Sequence, residues 1–326
     1  MCCMTSQTSF THSEFAAKNK IVRREKFLSH VEELIASKPL LAVIEPHYPK
    51  GKRGRPPVGI GRMLQVYFLQ QWPGLADDAL EDALYDSQAL QQFARIDFGD
   101  DGVPEATTLL SLRRLRETQA LWKGFFSSIN ANLTECGFLL CKGALGDATL
   151  IAAPASIKNL KKESHLEMHQ TKKGNQLYFV MKAHIGADRD SKQVNTVVVT
   201  AANVAYIAKT SELLHGAEKQ VHADAGCTCV ENRAEIVAIE RKIDWQTGGK
   251  REVIKAMAEG EAREAIKIVD KAKDSVKAFV EHSFHIVKNL FRHQKVRCRG
   301  LAKNGHQLYI SCLVAARTYL RPDGLV

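Results

Sequence analysis

The spacing of apolar residues along the chain changes near residue 136. Before this point apolar residues recur every three or four positions, as in MLQVYFLQQW at residues 63–72, and this spacing predicts amphipathic helices. After it, short runs rich in β-branched and aromatic residues are bounded by Gly, Asn or Asp, which predicts strands. The predicted strands cover residues 138–153, 176–188, 194–203 and 219–226.

This order of elements predicts two domains. Residues 1–135 are expected to form an all-α N-terminal domain. Residues 136–326 are expected to form an α/β domain with a mixed sheet flanked by helices, because three strands are followed by a helix, a further strand and more helices. A charged helical segment near residues 250–273 is interpreted as an insertion in this second domain.

One predicted helix, over residues 275–291, combines a narrow apolar stripe with charged residues at its edge. Glu281 lies at the edge of the stripe, and Lys277 and Lys288 lie on the same flank. The helix is therefore expected to present one acid and two bases beside its buried face. An ordinary surface ion pair between Glu and Lys explains the same pattern.

Length and composition exclude several classes of protein. The chain has 326 residues and is 45% hydrophobic, which is too apolar for a disordered protein and long enough for two domains. No apolar run approaches the roughly 18–20 residues that span a bilayer, so no membrane association is expected. The first residues do not resemble a signal peptide, and the eight cysteines are mostly scattered, so a cytoplasmic protein with reduced thiols is expected.

The net charge of +10 is unevenly distributed. Residues 74–105 are strongly acidic, whereas residues 50–55, 158–182 and 281–326 are basic. A single basic cluster is usually a solvated face, but three clusters favour a polyanion such as DNA as the partner. The basic residues proposed to contact DNA are Lys172, Lys173, Arg292, Lys295, Arg297 and Arg299.

Two predicted strands each carry an isolated aspartate, Asp147 in LGDATL and Asp224 in VHADAG. A carboxylate among small and apolar residues is unusual unless a cation compensates its charge. Together with Glu281 these aspartates form the oxygen donor set that two Mg²⁺ ions need for phosphoryl transfer.

A zinc site is the alternative interpretation of this region. His222, Cys227 and Cys229 could supply ligands, with His165 or His169 as a fourth, but Cys-x-Cys without a second close pair is a weak zinc signal. His184, in MKAHIGAD, is compatible both with a core position and with a position close to bound metals.

Long blocks of the sequence resemble bacterial insertion-sequence transposases of the DDE type, in particular the insertion-sequence-five group. The similarity extends over nearly the whole chain and includes the blocks IEPHYPKGKRGRPPVGIGRML, PEATTLLSLR, DATLIAAPASIKN, MHQTKKGNQLYFVMKAHIGAD, ADAG and VEHSFHIVK. Blocks of this length in the same order are far more specific than a lone short motif.

The resemblance implies an RNase H-like catalytic domain in which Asp147, Asp224 and Glu281 bind two Mg²⁺ ions, with Mn²⁺ as a substitute. It also implies that Lys288 helps to hold DNA, and that Lys277 occupies a position where the family has a DNA-binding Arg. The implied partners are terminal inverted repeats and target DNA, bound by a homodimer at the bacterial nucleoid. The N-terminal helices are then a module for binding DNA ends and for dimerisation.

The chain departs from the family pattern at several positions. Asp274 and Lys277 stand where the family has Tyr and Arg, and Cys227 and Cys229 stand where it has Tyr and Gly. None of these changes removes a predicted metal ligand. The sequence therefore predicts a transposase that cuts element ends and joins them to target DNA. Two alternatives stay open: a catalytically impaired DNA-binding remnant of such an enzyme, and a general RNase H-like nuclease.

Overall fold

The fold is described from a computed structural model. It covers residues 18, 20–35, 38–51, 56–98, 102–118, 121–135, 137, 143–154, 167–239, 241–249, 254, 256–257 and 259–318. The predicted basic clusters at residues 52–55 and 158–162, and residues 250–253 of the predicted insertion, lie outside these ranges. The chain divides into two compact units, residues 1–129 and 130–326.

The described part of residues 1–135 contains helices and one short 3₁₀ turn, and no strand, as the apolar spacing predicts. The helices are α1 (Arg23–Ile35), α2 (Lys38–Ile44), α3 (Ile60–Gln71), α4 (Asp77–Asp86), α5 (Gln88–Ala94), α6 (Ala106–Thr118) and α7 (Leu121–Glu135).

Aromatic packing around Trp72 forms a core in the first unit. Trp72, directly after α3, is only 3% exposed. Its ring stacks on Phe68 at a centroid distance of 5.6 Å and meets Phe27 and Phe93 edge to face at 5.2 and 6.0 Å. These rings come from α1, α3 and α5, so their burial holds three helices together.

The second unit contains one six-stranded mixed sheet. Its strands are β1 (Gly143–Ala152), β2 (His169–Lys173), β3 (Gln176–Asp188), β4 (Val194–Ala201), β5 (Gln220–Ala223) and β6 (Asp244–Thr247). The main body runs in the order β4–β3–β1–β5–β6, with β3 antiparallel to both β1 and β4. The β1–β5 and β5–β6 pairs are parallel, and β2 forms a hairpin with the first part of β3.

Helices cover this sheet. The long helix α10 (Glu261–His285) packs against β1 and β5, and its last turn continues as a π-helical turn over Ile286–Leu290. Helix α11 (Leu301–Thr318) packs against β4, where the Tyr309 hydroxyl donates a hydrogen bond to the carbonyl of Val197. The two remaining short helices are α8 (Thr210–Leu213) and α9 (Ala234–Val237). This mixed, helix-flanked sheet after a helical first part confirms the expected RNase H-like fold.

Some local expectations were wrong. Residues 261–285 form one continuous helix, so the helical part of the charged segment and the helix that carries Glu281 are not separate elements. Strands β2 and β6 were missed because each is short and polar. Among the described residues, no helix is both long enough and apolar enough to cross a bilayer.

Candidate active site

Asp147 lies in the middle of β1, opposite Ile185 of β3. Its side chain is half-buried, and its Oδ1 atom accepts a hydrogen bond of 2.6 Å from the backbone N–H of Ala148. Because β1 is central in the sheet, with β3 on one side and β5 on the other, its backbone is fixed by pairing on both edges near this residue. The strand therefore holds this carboxylate in a defined position.

Asp224 follows the last residue of β5, which runs parallel to β1. The parallel register pairs Gly143 with Gln220 and Leu145 with His222, an offset of 77 residues. The separation of Asp147 and Asp224 is also 224 − 147 = 77. Extended by two residues beyond its last pair, Leu145 with His222, this register would place Asp147 and Asp224 at the same level.

Asp224 is exposed, and its surroundings are set by a tight turn. Its carbonyl accepts a hydrogen bond of 2.8 Å from the N–H of Cys227, which closes the 3₁₀ turn Ala225–Cys227. The chain therefore bends away from the sheet immediately after Asp224, which leaves the carboxylate at the strand end in contact with solvent.

Tyr206, which the sequence did not identify, lies beside both aspartates. Its hydroxyl covers the backbone of Gly146, since a Cβ atom built on Gly146 would come within 1.7 Å of the Tyr206 oxygen. The pKa of Tyr206 is raised well above its usual value, first by burial and then by the negative charges of Cys227, Asp147 and Asp224. The phenol therefore stays protonated, and it shares its electrostatic environment with both carboxylates.

The ring of His184 lies beside that of Tyr206, at a centroid distance of 5.8 Å. It is fully buried, and its Nε2 atom lies 2.8 Å from the Thr200 hydroxyl. Burial, and secondarily the charges of Lys182 and Lys209, lower the pKa of His184 to about 4. His184 is therefore a neutral core residue that supports Tyr206.

Glu281 is carried by α10, which packs against the strands of both aspartates. The predicted apolar stripe is confirmed, since Val280, Phe284, Val287 and Phe291 are all buried. Glu281 itself is exposed, as its position at the edge of the stripe predicts. Packing of the stripe thus fixes the helix that carries the third predicted ligand.

The three carboxylates supply only oxygen donors, which suits a hard divalent cation. Within the described ranges, however, no three His, Cys, Asp or Glu side chains come close enough together to hold one metal ion. This holds for the predicted triad and equally for His222, Cys227 and Cys229, whereas His165 lies outside the described residues. The two aspartates fit a metal by donor type and by strand register, and Glu281 lies on the helix that packs on the same strands.

The loop between α10 and α11 carries four of the basic residues predicted to contact DNA, and all four are exposed: Arg292, Lys295, Arg297 and Arg299. The guanidinium of Arg297 donates hydrogen bonds of 2.9 and 3.2 Å to the carbonyls of Phe291 and Arg292, which stabilises the loop itself. Lys288 lies half-buried in the π-helical turn, and Lys277 lies on α10. Lys172 and Lys173 lie on β2.

Cys229 adopts a left-handed backbone conformation, with φ of 67° and ψ of 24°. Residues with a Cβ atom are disfavoured there, and glycine is not. This finding explains in physical terms why glycine suits a position five residues after Asp224, and why cysteine there adds local strain.

Two family models match the chain. One, described as a transposase domain (DUF772), matches residues 16–115, and the other, described as a transposase DDE domain, matches residues 144–316. Among solved structures, the cryo-EM structure of the piggyBac transposase synaptic complex with hairpin DNA matches at a TM-score of 0.40 and 12% identity. That alignment covers 92% of this chain and 75% of the other.

Proposed function

The chain belongs to the family of DDE-domain transposases, and we propose that it cuts DNA at the ends of an insertion element and joins them to target DNA. The model of the DDE domain matches more than half of the chain and spans all six strands except the first residue of β1. The observation that supports the proposal is the parallel register of β1 and β5, because its offset of 77 residues equals the separation of Asp147 and Asp224 in the sequence.

In the proposed mechanism Asp147, Asp224 and Glu281 hold two Mg²⁺ ions, or Mn²⁺ in their place. Bound in this way, the ions would activate the attacking water or 3′-hydroxyl and neutralise charge on the leaving oxygen. The two aspartates orient their oxygens from strands whose relative position is fixed by hydrogen bonds. Glu281 approaches from a helix, so its distance from the aspartates depends on how α10 seats on the sheet.

Tyr206 fits this mechanism as a positioning residue. Its ring closes the sheet surface over Gly146, one residue before Asp147, and prevents the strand from shifting toward it. Because its phenol stays protonated, it adds no charge that would compete with the carboxylates for a cation. It thus supports the position of Asp147 without taking part in the chemistry.

The DNA backbone is proposed to lie along the basic residues that follow α10 and on the β2–β3 hairpin. Arg292, Lys295 and Arg299 are exposed cations on one loop, which suits contact with successive phosphates. Lys277 and Lys288 are proposed to hold DNA on either side of Glu281, and Arg297 to contribute mainly by shaping the loop. The positive charges of these residues thereby offset the repulsion between the DNA phosphates and the carboxylates of the site.

The N-terminal domain over residues 1–135 is proposed to bind the terminal inverted repeats and to form a homodimer that holds two element ends. We further infer that the protein acts in the cytoplasm at the nucleoid, and that it belongs to the insertion-sequence-five group. These assignments rest on the sequence resemblance.

A catalytically impaired DNA-binding remnant is the second candidate function. Two observations favour it: Cys229, five residues after Asp224, holds a strained conformation, and the described carboxylates do not converge into one metal-binding cluster. Such a protein would still bind inverted repeats through its exposed cations but would not cut them.

A cleavage assay on a duplex that carries a terminal inverted repeat separates these functions. The wild-type protein with Mg²⁺ or Mn²⁺ should cut at the repeat end, and Asp147→Asn and Asp224→Asn should abolish cutting without loss of DNA binding. Glu264→Gln is the matched control, because Glu264 is an exposed carboxylate in the first turn of α10, whereas Glu281 lies in its last two turns. Binding without cutting by the wild-type protein would favour the remnant, and equal cutting of unrelated sequences would favour a general nuclease.

A further inference from the structure

The β2–β3 hairpin extends beyond the body of the sheet. The pairing of β1 with β3 ends at Val180, and the pairing of β4 with β3 ends at Met181. Residues 176–178 of β3 pair only with β2, whereas the carbonyl of Phe179 also accepts a hydrogen bond of 2.9 Å from the N–H of Ala153. The register places Lys172 opposite Leu177 and Thr171 opposite Tyr178, so these two pairs lie on opposite faces of the ribbon. The end of the hairpin is therefore a two-stranded ribbon without a covering layer in the described part of the chain.

The two strands are joined by the shortest common type of hairpin loop. Lys173 pairs with Gln176, so that only Gly174 and Asn175 form the turn. Gly174 has a φ of 62°, a conformation that glycine adopts without strain and that such turns require. The ribbon therefore ends in a narrow tip.

Apolar side chains on this ribbon face solvent. Leu177 is 69% exposed and Tyr178 is 38% exposed, although large apolar side chains in strands normally pack on another layer. A two-stranded ribbon is marginally stable by itself. Exposed apolar residues on such an element point to a partner that covers them.

The charge of the ribbon indicates what kind of partner this is. Residues 169–179, which form the ribbon, contain Lys172 and Lys173 and no acidic residue. Glu167 precedes the ribbon, and its carboxylate accepts a hydrogen bond from the N–H of Leu301. The base of the ribbon also adjoins the basic loop after α10, since Ala152 pairs with Val180 on one edge and bridges to Lys295 on the other. A positive ribbon continuous with a positive loop is complementary to a polyanion and not to an ordinary protein surface.

We propose that the β2–β3 hairpin enters the major groove of the DNA on which this transposase acts. The major groove is about 12 Å wide and admits a two-stranded β-ribbon. Lys172 contacts the phosphate backbone at the groove edge, while Leu177, which lies on the same face of the ribbon, contacts base edges such as thymine methyl groups. Tyr178 lies on the opposite face and points away from the bases. The hairpin thus contributes to sequence recognition within the catalytic domain, and this inference rests on the proposed transposase function.

DNA binding by the full-length protein tests this assignment. Affinity is measured for a duplex with the inverted repeat and for an unrelated duplex, each over a series of salt concentrations. Leu177→Ser should reduce the preference for the repeat about tenfold while it leaves affinity for unrelated DNA unchanged, whereas Tyr178→Ser, on the opposite face, should change neither. Lys172→Gln should instead weaken binding to both duplexes equally and reduce the salt slope by about one.

The matched control is Val237→Ser, which removes a side chain of similar exposure, 65%, on α9. It should change neither the preference for the repeat nor the salt slope. Melting temperatures, together with the milder single variant Leu177→Ala, show whether a variant is misfolded. Because the substituted side chains are exposed, all variants should have the same melting temperature as the wild-type protein.

Protection of guanine N7 from methylation identifies the groove. The wild-type protein should protect N7, a major-groove atom, within the repeat, and Leu177→Ser should lose this protection at the bases that the hairpin contacts. Unchanged preference and protection in Leu177→Ser, with normal wild-type binding, would overturn the assignment of the hairpin alone. Loss of protection at adenine N3, in the minor groove, and not at guanine N7 in Leu177→Ser would overturn it as well. Failure of the wild-type protein to bind either duplex would overturn the proposed function itself.

Discussion

Replacement of Gly146 by alanine tests the packing that fixes Asp147. The new Cβ atom would lie 1.7 Å from the Tyr206 hydroxyl oxygen and 3.0 Å from the Tyr206 Cζ atom. Because the ring packs against His184, it has little room to retreat. Overpacking of this kind costs about 1–3 kcal/mol of unfolding free energy. In a unit of about 200 residues each kcal/mol corresponds to a fall of about 2–4 °C in melting temperature.

Substitution of Tyr206 separates this clash from a general effect of alanine. Tyr206→Phe removes the oxygen and leaves only the 3.0 Å contact to Cζ, so Gly146→Ala should cost about 1 kcal/mol or less in that background. The double-mutant cycle should therefore give a coupling free energy of about 1 kcal/mol or more. Urea unfolding followed by far-UV circular dichroism measures all four proteins.

The control for this cycle is Gly226→Ala, since nothing lies within 4 Å of a Cβ atom built there. It should shift the unfolding free energy by no more than about 0.5 kcal/mol. A cost below that value for Gly146→Ala, or an equal cost with and without the Tyr206 hydroxyl, would refute the placement of Tyr206 over β1.

Three further predictions concern residues around this core. Cys229→Gly should raise the unfolding free energy by about 0.5–1 kcal/mol in thermal melts because glycine relieves the left-handed conformation, whereas Cys229→Ala should bring no such gain. The pKa of His184 is lowered from its usual value of 6.5 to about 4, so the stabilising effect of the neutral ring is complete above pH 6.5 and is lost progressively as the pH falls to 4. Thermal melts across this pH range should therefore show a smaller fall in melting temperature for His184→Gln than for the wild-type protein. Glu218→Ala should lower the free energy of unfolding by about 2–4 kcal/mol, because the buried Glu218 carboxylate accepts hydrogen bonds from the N–H groups of His215 and Gly216 and from the guanidinium of Arg241. An unchanged midpoint of urea unfolding would contradict this.

The sequence predicted those parts of the fold that have a regular apolar pattern. The stripe on α10 follows directly from 3.6-residue periodicity, and the long strands β1, β3 and β4 follow from their β-branched and aromatic content. The four-residue strand β6 lacks such a pattern, because it pairs with β5 through its backbone and its side chains are only partly buried. Whether a short polar segment forms a strand therefore depends on the strand with which it pairs, and not on a pattern in its own sequence.

The candidate site was predictable only in part, for a similar reason. Asp147 and Asp224 were recognisable as isolated acids in apolar strands, and the strand register then aligned them. Tyr206 lies far along the chain from Asp147, in a 3₁₀ turn over residues 206–209. Its proximity to the carboxylates depends on the packing of a 3₁₀ turn over Gly146, which no local pattern encodes.

The paired aspartates are the central claim, and iron-directed backbone cleavage of the protein tests it most directly. Fe²⁺ that occupies the proposed metal site, in the presence of ascorbate and peroxide, should cut the chain near Asp147 and near Asp224. Excess Mg²⁺ should suppress both cuts together, and Asp147→Asn should weaken the cut at Asp224 as well as its own. Cuts confined to other parts of the chain, or a cut at Asp224 that is unaffected by Asp147→Asn, would contradict the claim that the two aspartates hold the same ions.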